Sequence, residues 1–181
     1  MKSLAHPKGS ELILDLGTGA GYVSIGFAKQ LDSGFVVGVD KYDQSTSILG
    51  NNFFEELKIN FFGNTLNRAK KNASIEKQLD SIALVKSDLK RYFPFSNQSF
   101  HMILSSQFLY CIPQQKREKV LQEINRVLKP EGKLIFFESK KYVNWDIIPV
   151  EKFFKKLNYD TKIYSLNYMH NKCIFYARKA K

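Results

Sequence analysis

The stretch from Leu12 to Phe27, L-I-L-D-L-G-T-G-A-G-Y-V-S-I-G-F, restricts the folds open to this chain more than any other. Leu12, Ile13 and Leu14 form a short apolar run of the kind that is buried on both faces of a sheet. Asp15 closes the run, Gly17, Gly19 and Gly21 alternate, and Val23, Ile25, Phe27, Ala28 and Leu31 read as an amphipathic helix. Strand, glycine turn and helix start together bring main chain close to a ligand, because glycine has no Cβ in the way and tolerates unusual φ/ψ. The unpaired N–H groups of the helix's first turn face the same place.

Two ligand classes use such a turn, and spacing separates them. A dinucleotide fingerprint, G-x-G-x-x-G, needs its third glycine at position 22 when counted from Gly17, and Tyr22 stands there instead. The pattern present is D-x-G-x-G-x-G with an acid on the strand end. It resembles the glycine loop of the class I S-adenosylmethionine-dependent methyltransferases. In that family the acid and the loop hold the methionine part of the cofactor. The resemblance therefore assigns Asp15, Gly17, Thr18, Gly19, Gly21 and Tyr22 to binding S-adenosylmethionine. A glycine turn with no ligand is the bland alternative.

The rest of the chain alternates strand and helix signals. Strands are expected at about Glu11–Leu16, from Gly34 to Asp40, at Ser81–Lys86, Phe100–Ser105 and Lys133–Glu138, with helices at Gly21–Leu31, Thr65–Ile75, Gln114–Leu128 and Val150–Leu157. Asn64 or Thr65 would cap the second helix, and K-P-E-G would stop the third. This order gives an α/β fold, a Rossmann-like doubly wound sheet. Two last strands, Tyr159–Leu166 and Lys172–Arg178, have too little chain between them for a helical crossover and should pair antiparallel. The expectation is a seven-stranded sheet, mostly parallel with an antiparallel C-terminal hairpin strand. A reversed seventh strand is the hallmark of the methyltransferase sheet, so the resemblance runs from about Glu11 to Arg178.

With 181 residues, 44% of them hydrophobic and 25% charged, residues 1–181 are expected to form a single globular domain. No run approaches the roughly 20 apolar residues of a membrane span. The start, M-K-S-L-A-H-P-K-G, lacks the apolar region of a signal peptide. Cys111 and Cys173 have no metal-type spacing, which suggests reduced thiols, no metal site and a cytoplasmic location. The net charge of +11 is spread over lysines without an arginine-rich tract or aromatic RNA-binding signature. A solvated lysine-rich surface is the simpler reading, and a nucleic-acid partner is the less favoured one.

Ligands of open α/β sheets sit at the carboxyl ends of the strands. Asp40 ends the second strand, and a carboxylate there can accept from both hydroxyls of a ribose, as it does in the family. Lys41 and Tyr42 follow, where the family places a side chain against adenine. Asp88 matches the acid that accepts from the adenine amino group, with Leu89 as a wall, and Ser105 leaves the fourth strand beside the methyl-donor position. Within the family, F-P-F-S-N-Q-S-F-H-M-I-L-S-S-Q-F-L-Y and Q-E-I-N-R-V-L-K-P-E-G-K-L-I-F-F-E look like the ubiquinone-biosynthesis-type (methyltransferase type 11-like) group. Two positions depart from that group: His101 for Asp, read as structural at the strand's far end, and Glu131 for glycine in a turn.

The resemblance implies methyl transfer from a sulfonium by in-line displacement, which needs alignment and exclusion of water more than a catalytic dyad. No residue is assigned as a catalytic base. The turn S-S-Q-F-L-Y-C lacks the Asn/Asp-Pro-Pro-Tyr/Phe pattern used on adenine nitrogens and glutamine amides. Cys111-Ile112-Pro113 has the wrong order for a cytosine C5 nucleophile, so Cys111 reads as a packing residue. A small-molecule methyl acceptor is expected, ahead of an RNA- or ribosome-associated enzyme or a non-catalytic cofactor-binding subunit with a homo-oligomeric or partner role. Asp43–Gly63, rich in Phe, Leu and Ile, reads as an insertion that packs on the core, covers the acceptor site or makes a partner or membrane contact. Tyr22, Phe108, Tyr110, the Glu138–Trp145 loop and the hairpin tip with His170 are further pocket candidates.

Overall fold

The structure is a computed structural model and describes residues 2–42, 65–142, 145–166, 169 and 171–180. The apolar insertion expected at 43–63 and the tip residues Tyr168 and His170 lie outside the described residues.

Seven strands form one sheet in the order β3-β2-β1-β4-β5-β9-β8. They are β1 (Leu12–Leu16), β2 (Phe35–Asp40), β3 (Ile82–Lys86), β4 (Phe100–Ser106), β5 (Leu128–Ser139), β8 (Tyr159–Ser165) and β9 (Lys172–Lys179). β1 is an interior strand, parallel to both neighbours, with Ile13 opposite Val36 on one side and Met102 on the other. β9 runs antiparallel to β5 and to β8, with Phe175 opposite Phe136 and Ile163. Leu166 N donates to Lys172 O at 3.2 Å to close the connection, as a link too short for a helix requires. A small separate ribbon pairs β6 (Lys141–Tyr142) with β7 (Trp145–Asp146), which the sequence did not foretell.

Period-two alternation along the strands sends neighbouring residues to opposite faces. Leu14, Leu16, Ile103 and Phe136 enter one core layer with Val120, Leu121, Ile124 and Val127 of the helix Gln114–Val127 (α4). Ile13, Val36, Met102 and Leu104 enter the other layer, against Phe27 and Ala28 of Tyr22–Ala28 (α2) and Ala73 of Leu66–Ile75 (α3). A four-residue turn of helix, Lys2–Ala5 (α1), places Ala5 in that second layer. Ile148–Lys156 (α5) sets Phe154 between Phe136 and Phe175, with ring centroids 6.5 and 5.9 Å away. Each such buried ring contributes about 1.5–3 kcal/mol of transfer free energy, so these aromatics fasten the antiparallel end to the parallel part.

Boundaries differ from expectation where hydrogen bonds compete. α2 ends at Ala28 instead of Leu31, because Gln30 and Leu31 form tight turns onto Phe27 and Ala28 and then Asp32, Ser33 and Gly34 all donate to Gly9 O. β5 begins at Leu128, before the K-P-E-G bend, which is absorbed as an irregularity between Phe100↔Leu128 and Met102↔Lys133. Glu131 carries that bend with φ +59°. Thr65 does cap α3, its hydroxyl accepting from Arg68 N at 3.1 Å. Cys111 is exposed on a 3-10 turn, Leu109–Cys111, so the packing role expected for it falls to Leu109 and Ile112.

Candidate functional site

The carboxyl ends of β1 and β2 meet at the glycine loop, and most of its polar contacts are internal to that meeting. Gly17 N and Thr18 N both donate to Val39 O, at 2.8 and 3.1 Å, so β2 carries the loop that β1 emits. Gly17, Gly19 and Gly21 have φ of +69°, +54° and +86°, in the region that side chains with a Cβ avoid. At Gly17 the need is also steric: an added Cβ would lie 2.6 Å from the Phe108 side chain. The loop is thus packed from above by the segment following β4.

Asp15 braces the loop from beneath. Its Oδ2 accepts from Thr18 Oγ1 at 2.8 Å and from Ser24 Oγ at 2.6 Å, and the residue is 1% exposed. Burial pushes its carboxyl up to about 6, against the Ser24 and Thr18 bonds that favour the charged form and with Asp40 adding to the rise. Gly38 on β2 leaves room for this cluster, since a Cβ there would meet Thr18 Oγ1 at 2.8 Å and Ser24 Oγ at 2.9 Å. Ser24 and Gly38 had no signal of their own in the sequence. Both follow from the depth at which Asp15 lies.

Asp40 faces the other way round the loop. Its Oδ2 accepts from Gly19 N at 2.9 Å and its Oδ1 from Tyr42 N at 3.2 Å, and the residue is only half-buried. Each carboxylate oxygen has a second lone-pair direction. Tyr42 is buried and has φ +45°; burial, then Asp40 and Asp15, push its phenol well above the usual range. Lys41 beside it is exposed. The neighbouring strand joins the same edge through Ser87 N, which donates to Asp40 O at 3.0 Å. Asp88, next in the chain, accepts from Lys90 N at 3.1 Å and pairs with Arg91 Nε at 3.5 Å.

The structure thus brings Asp15, Gly17, Thr18, Gly19, Gly21 and Asp40 into one cluster, with Asp88 along the same edge. Other candidates hold internal positions: the Leu89 side chain is in the core, and Ser105, fully buried, donates to Glu138 Oε1 at 3.0 Å. Tyr22 is 67% exposed, its hydroxyl 3.4 Å from Arg68 Nη2. Trp145 is buried, donates to Ser139 O at 2.7 Å and lines a small recess with Leu109, Ile112 and Leu121.

One residue of consequence was read from sequence as a strand end opening a pocket-candidate loop, without a role of its own. Glu138, at the carboxyl end of β5, is fully buried, and its Oε1 accepts from Ser105 Oγ, Phe108 N and Leu109 N at 3.0, 3.0 and 2.9 Å. Burial pushes its carboxyl above the usual range, against those bonds. Its place could be found from K-L-I-F-F-E, an acid closing an apolar run at the ligand end of a strand. Through Phe108 it fixes the segment that rests on Gly17.

Among the described residues no group of three or more His, Cys, Asp or Glu is placed to hold a metal ion. Among the described residues, the contacts of this cluster are those of two carboxylates, two hydroxyls and tightly turned main chain.

The sheet order, the reversed β9 and the acid-braced glycine loop define the class I methyltransferase architecture. A family model described as a methyltransferase domain matches residues 14–136, and the chain belongs to that S-adenosylmethionine-dependent family. It is 30% identical over 144 residues to a demethylmenaquinone methyltransferase of Lactobacillus johnsonii, covering 76% of this chain and 47% of that one. The chain spans less than half the length of the curated relatives it matches, at 47% and 40%. In fold it is similar to a SAM-dependent methyltransferase from Aquifex aeolicus, with TM-score 0.67, 16% identity and coverage of 93% of this chain and 81% of the other. It is likewise similar to the Bacillus subtilis YcgJ protein, with TM-score 0.71, 14% identity and coverage of 99% and 96%. Among the described residues no helix is long and apolar enough to cross a membrane.

Proposed function

We propose that the chain transfers the methyl group of S-adenosylmethionine to a small-molecule acceptor by in-line displacement, and that it acts mainly by positioning. The observation that carries this reading is the Asp15–Thr18–Ser24 brace beneath a glycine turn whose Gly19 N–H is held by Asp40. The polar groups along this edge suit the cofactor. Asp40 retains acceptor capacity suited to ribose hydroxyls, Asp88 stands one strand further for the adenine amino group, and the turn at Gly17 to Gly21 admits a ligand close to main chain. When bound, the cofactor supplies a methyl group on sulfur that is already activated for transfer.

The chain's own contribution is geometric and dielectric. Asp15 keeps the loop in shape, Glu138 holds the β4–α4 segment, and Phe108 closes the loop from above. Fixing the acceptor in line within a dry cleft contributes through orientation. A base is required only for an acceptor whose proton is firmly held. The end of β4 and the segment after it read S-S-Q-F-L-Y-C and offer no Asn-Pro-Pro-Tyr clamp for a nucleobase or amide, which favours a small metabolite.

Calorimetry with S-adenosylmethionine, S-adenosylhomocysteine and NAD tests the reading, followed by a methyl-transfer screen over small acceptors and bulk RNA. Binding of the two sulfur nucleosides without NAD is the expected result. NAD binding alone, or turnover confined to RNA, would overturn it.

A further inference from the structure

The far side of the sheet, at the amino ends of β1 and β4, holds a second concavity. A cavity of about 490 Å³ lies there among the Lys8–Glu11 segment, His101, the Lys129–Lys133 bend and Arg178. That volume is within the range of small-molecule sites, roughly 300–1,000 Å³. Lys8, Lys129, Lys133 and Arg178 contribute four positive charges to its wall, against Glu11 and Glu131. Both acids are engaged: Glu11 accepts from Lys8 N and Gly9 N at 2.6 and 3.0 Å, and Glu131 pairs with Arg178 at 3.5 Å. Lys133 donates to Ala5 O at 2.7 Å. Burial lowers its pKa, and Arg178 and Lys8 act in the same direction against Glu11, as expected where cations converge.

His101 supplies the second observation. Leu12 N–H donates to His101 Nδ1 at 3.0 Å, which requires the neutral ring to carry its proton on Nε2. Yet Nε2 stands 2.9 Å from the Lys129 ammonium. An N–H and an ammonium are both donors, so neither satisfies the other. The group that fits both is an oxygen bearing negative charge, accepting from the two at once.

We propose that this cavity binds a small phosphate-bearing ligand of at least two negative charges, held by His101 Nε2–H and Lys129 and surrounded by Lys8, Lys133 and Arg178. A tetrahedral oxyanion accepts from several directions, as these residues approach it. A polynucleotide would instead call for cations spread along a face, whereas these converge on one concavity. The site is separate from the glycine loop, at the opposite ends of the same strands.

The test is calorimetry of the full chain with inorganic pyrophosphate in phosphate-free, low-salt buffer, beside a parallel titration with S-adenosylhomocysteine. His101→Asn keeps a side-chain carbonyl for Leu12 N–H and removes the Nε2–H. Lys129→Gln removes the charge at a partly exposed position and carries the test should the first variant lose its circular dichroism spectrum. Each is expected to weaken pyrophosphate by about fivefold to tenfold, with S-adenosylhomocysteine affinity unchanged. Absence of pyrophosphate binding at millimolar concentration would overturn the proposal, as would equal binding by both folded variants. Displacement of pyrophosphate by a micromolar short RNA, with a steep salt dependence, would also overturn the small-ligand assignment.

Discussion

Replacing Asp15 by Asn removes one titrating group and keeps an acceptor for Thr18 and Ser24. The wild-type carboxyl moves from 3.8 to about 6 on folding, chiefly because it is buried. An acid whose folded pKa is raised binds its proton more tightly in the native state. Its contribution is therefore intact below pH 3.8 and is lost as pH rises through about 6. The full loss is roughly 3 kcal/mol at 1.36 kcal/mol per pKa unit. About 2 kcal/mol of it falls between pH 4.5 and 7.5. For a domain of this size that corresponds to about 4–8 °C in midpoint. Urea unfolding of both proteins across this window is the assay. The difference between them cancels the other titrating groups, including Glu138, whose shift has the same direction. Expected is a variant that gains on the wild type by about 2 kcal/mol as pH rises, with the gain levelling off near pH 7. A difference that stays flat with pH would refute the buried-carboxylate reasoning. A gain that climbs on past pH 8 would refute it too, because the group would then be titrating elsewhere.

Gly17→Ala should cost roughly 2–4 kcal/mol, from a positive-φ penalty plus collision with Phe108; adding Phe108→Ala should recover the collision part and leave the φ part, by thermal unfolding. Asp40→Asn should leave the fold intact and weaken S-adenosylmethionine by about tenfold to a hundredfold in calorimetry, the loss expected for a hydrogen bond to a charged group. Glu138→Ala should destabilise by several kcal/mol, at about 1–3 kcal/mol per stranded buried donor. Glu138→Gln, which keeps the shared acceptor, should cost less than Glu138→Ala in urea unfolding.

Several features of the site were legible because they are local. The alternation of glycines after a buried run can only be a tight turn at a strand end, and the short link between Leu166 and Lys172 can only be a hairpin. Asp40 was readable for the same reason, closing a β-branched run at the edge where ligands bind. The partners that make these residues work were not local. Ser24 looks like an ordinary helix residue until Asp15 is found to be buried nine positions earlier in the chain and bonded to it. Glu138 and Ser105 are 33 residues apart and meet only because β4 and β5 pair in register. Ser105, assigned by the resemblance to the cofactor, thus bonds to Glu138, and Leu89, assigned there as a wall, packs in the core. Local pattern fixes which residues stand at the edge; which way a side chain turns there depends on non-local donors.

The same separation explains why His101 reads as merely structural in the sequence. By sequence it is a departure at the far end of a strand, and the far end carries no ligand in an open α/β sheet. Its consequence appears only with two long-range contacts in hand. β1 offers the Leu12 N–H that fixes the ring's proton, and the bend before the regular part of β5 offers the Lys129 ammonium that opposes it. The parallel registers of β1 with β4 and of β4 with β5 bring those contacts to one histidine, as they bring Asp15 to the loop at the other end. A single arrangement of strands thus generates an acceptor-rich edge around Asp15, Asp40, Asp88 and Glu138, and a donor-rich edge around His101, Lys129 and Lys133. A cationic sulfonium cofactor suits the first edge by charge, and an oxyanion suits the second. Pyrophosphate and S-adenosylhomocysteine should therefore bind one chain together without competing, and competition between them would show that the two edges are not independent.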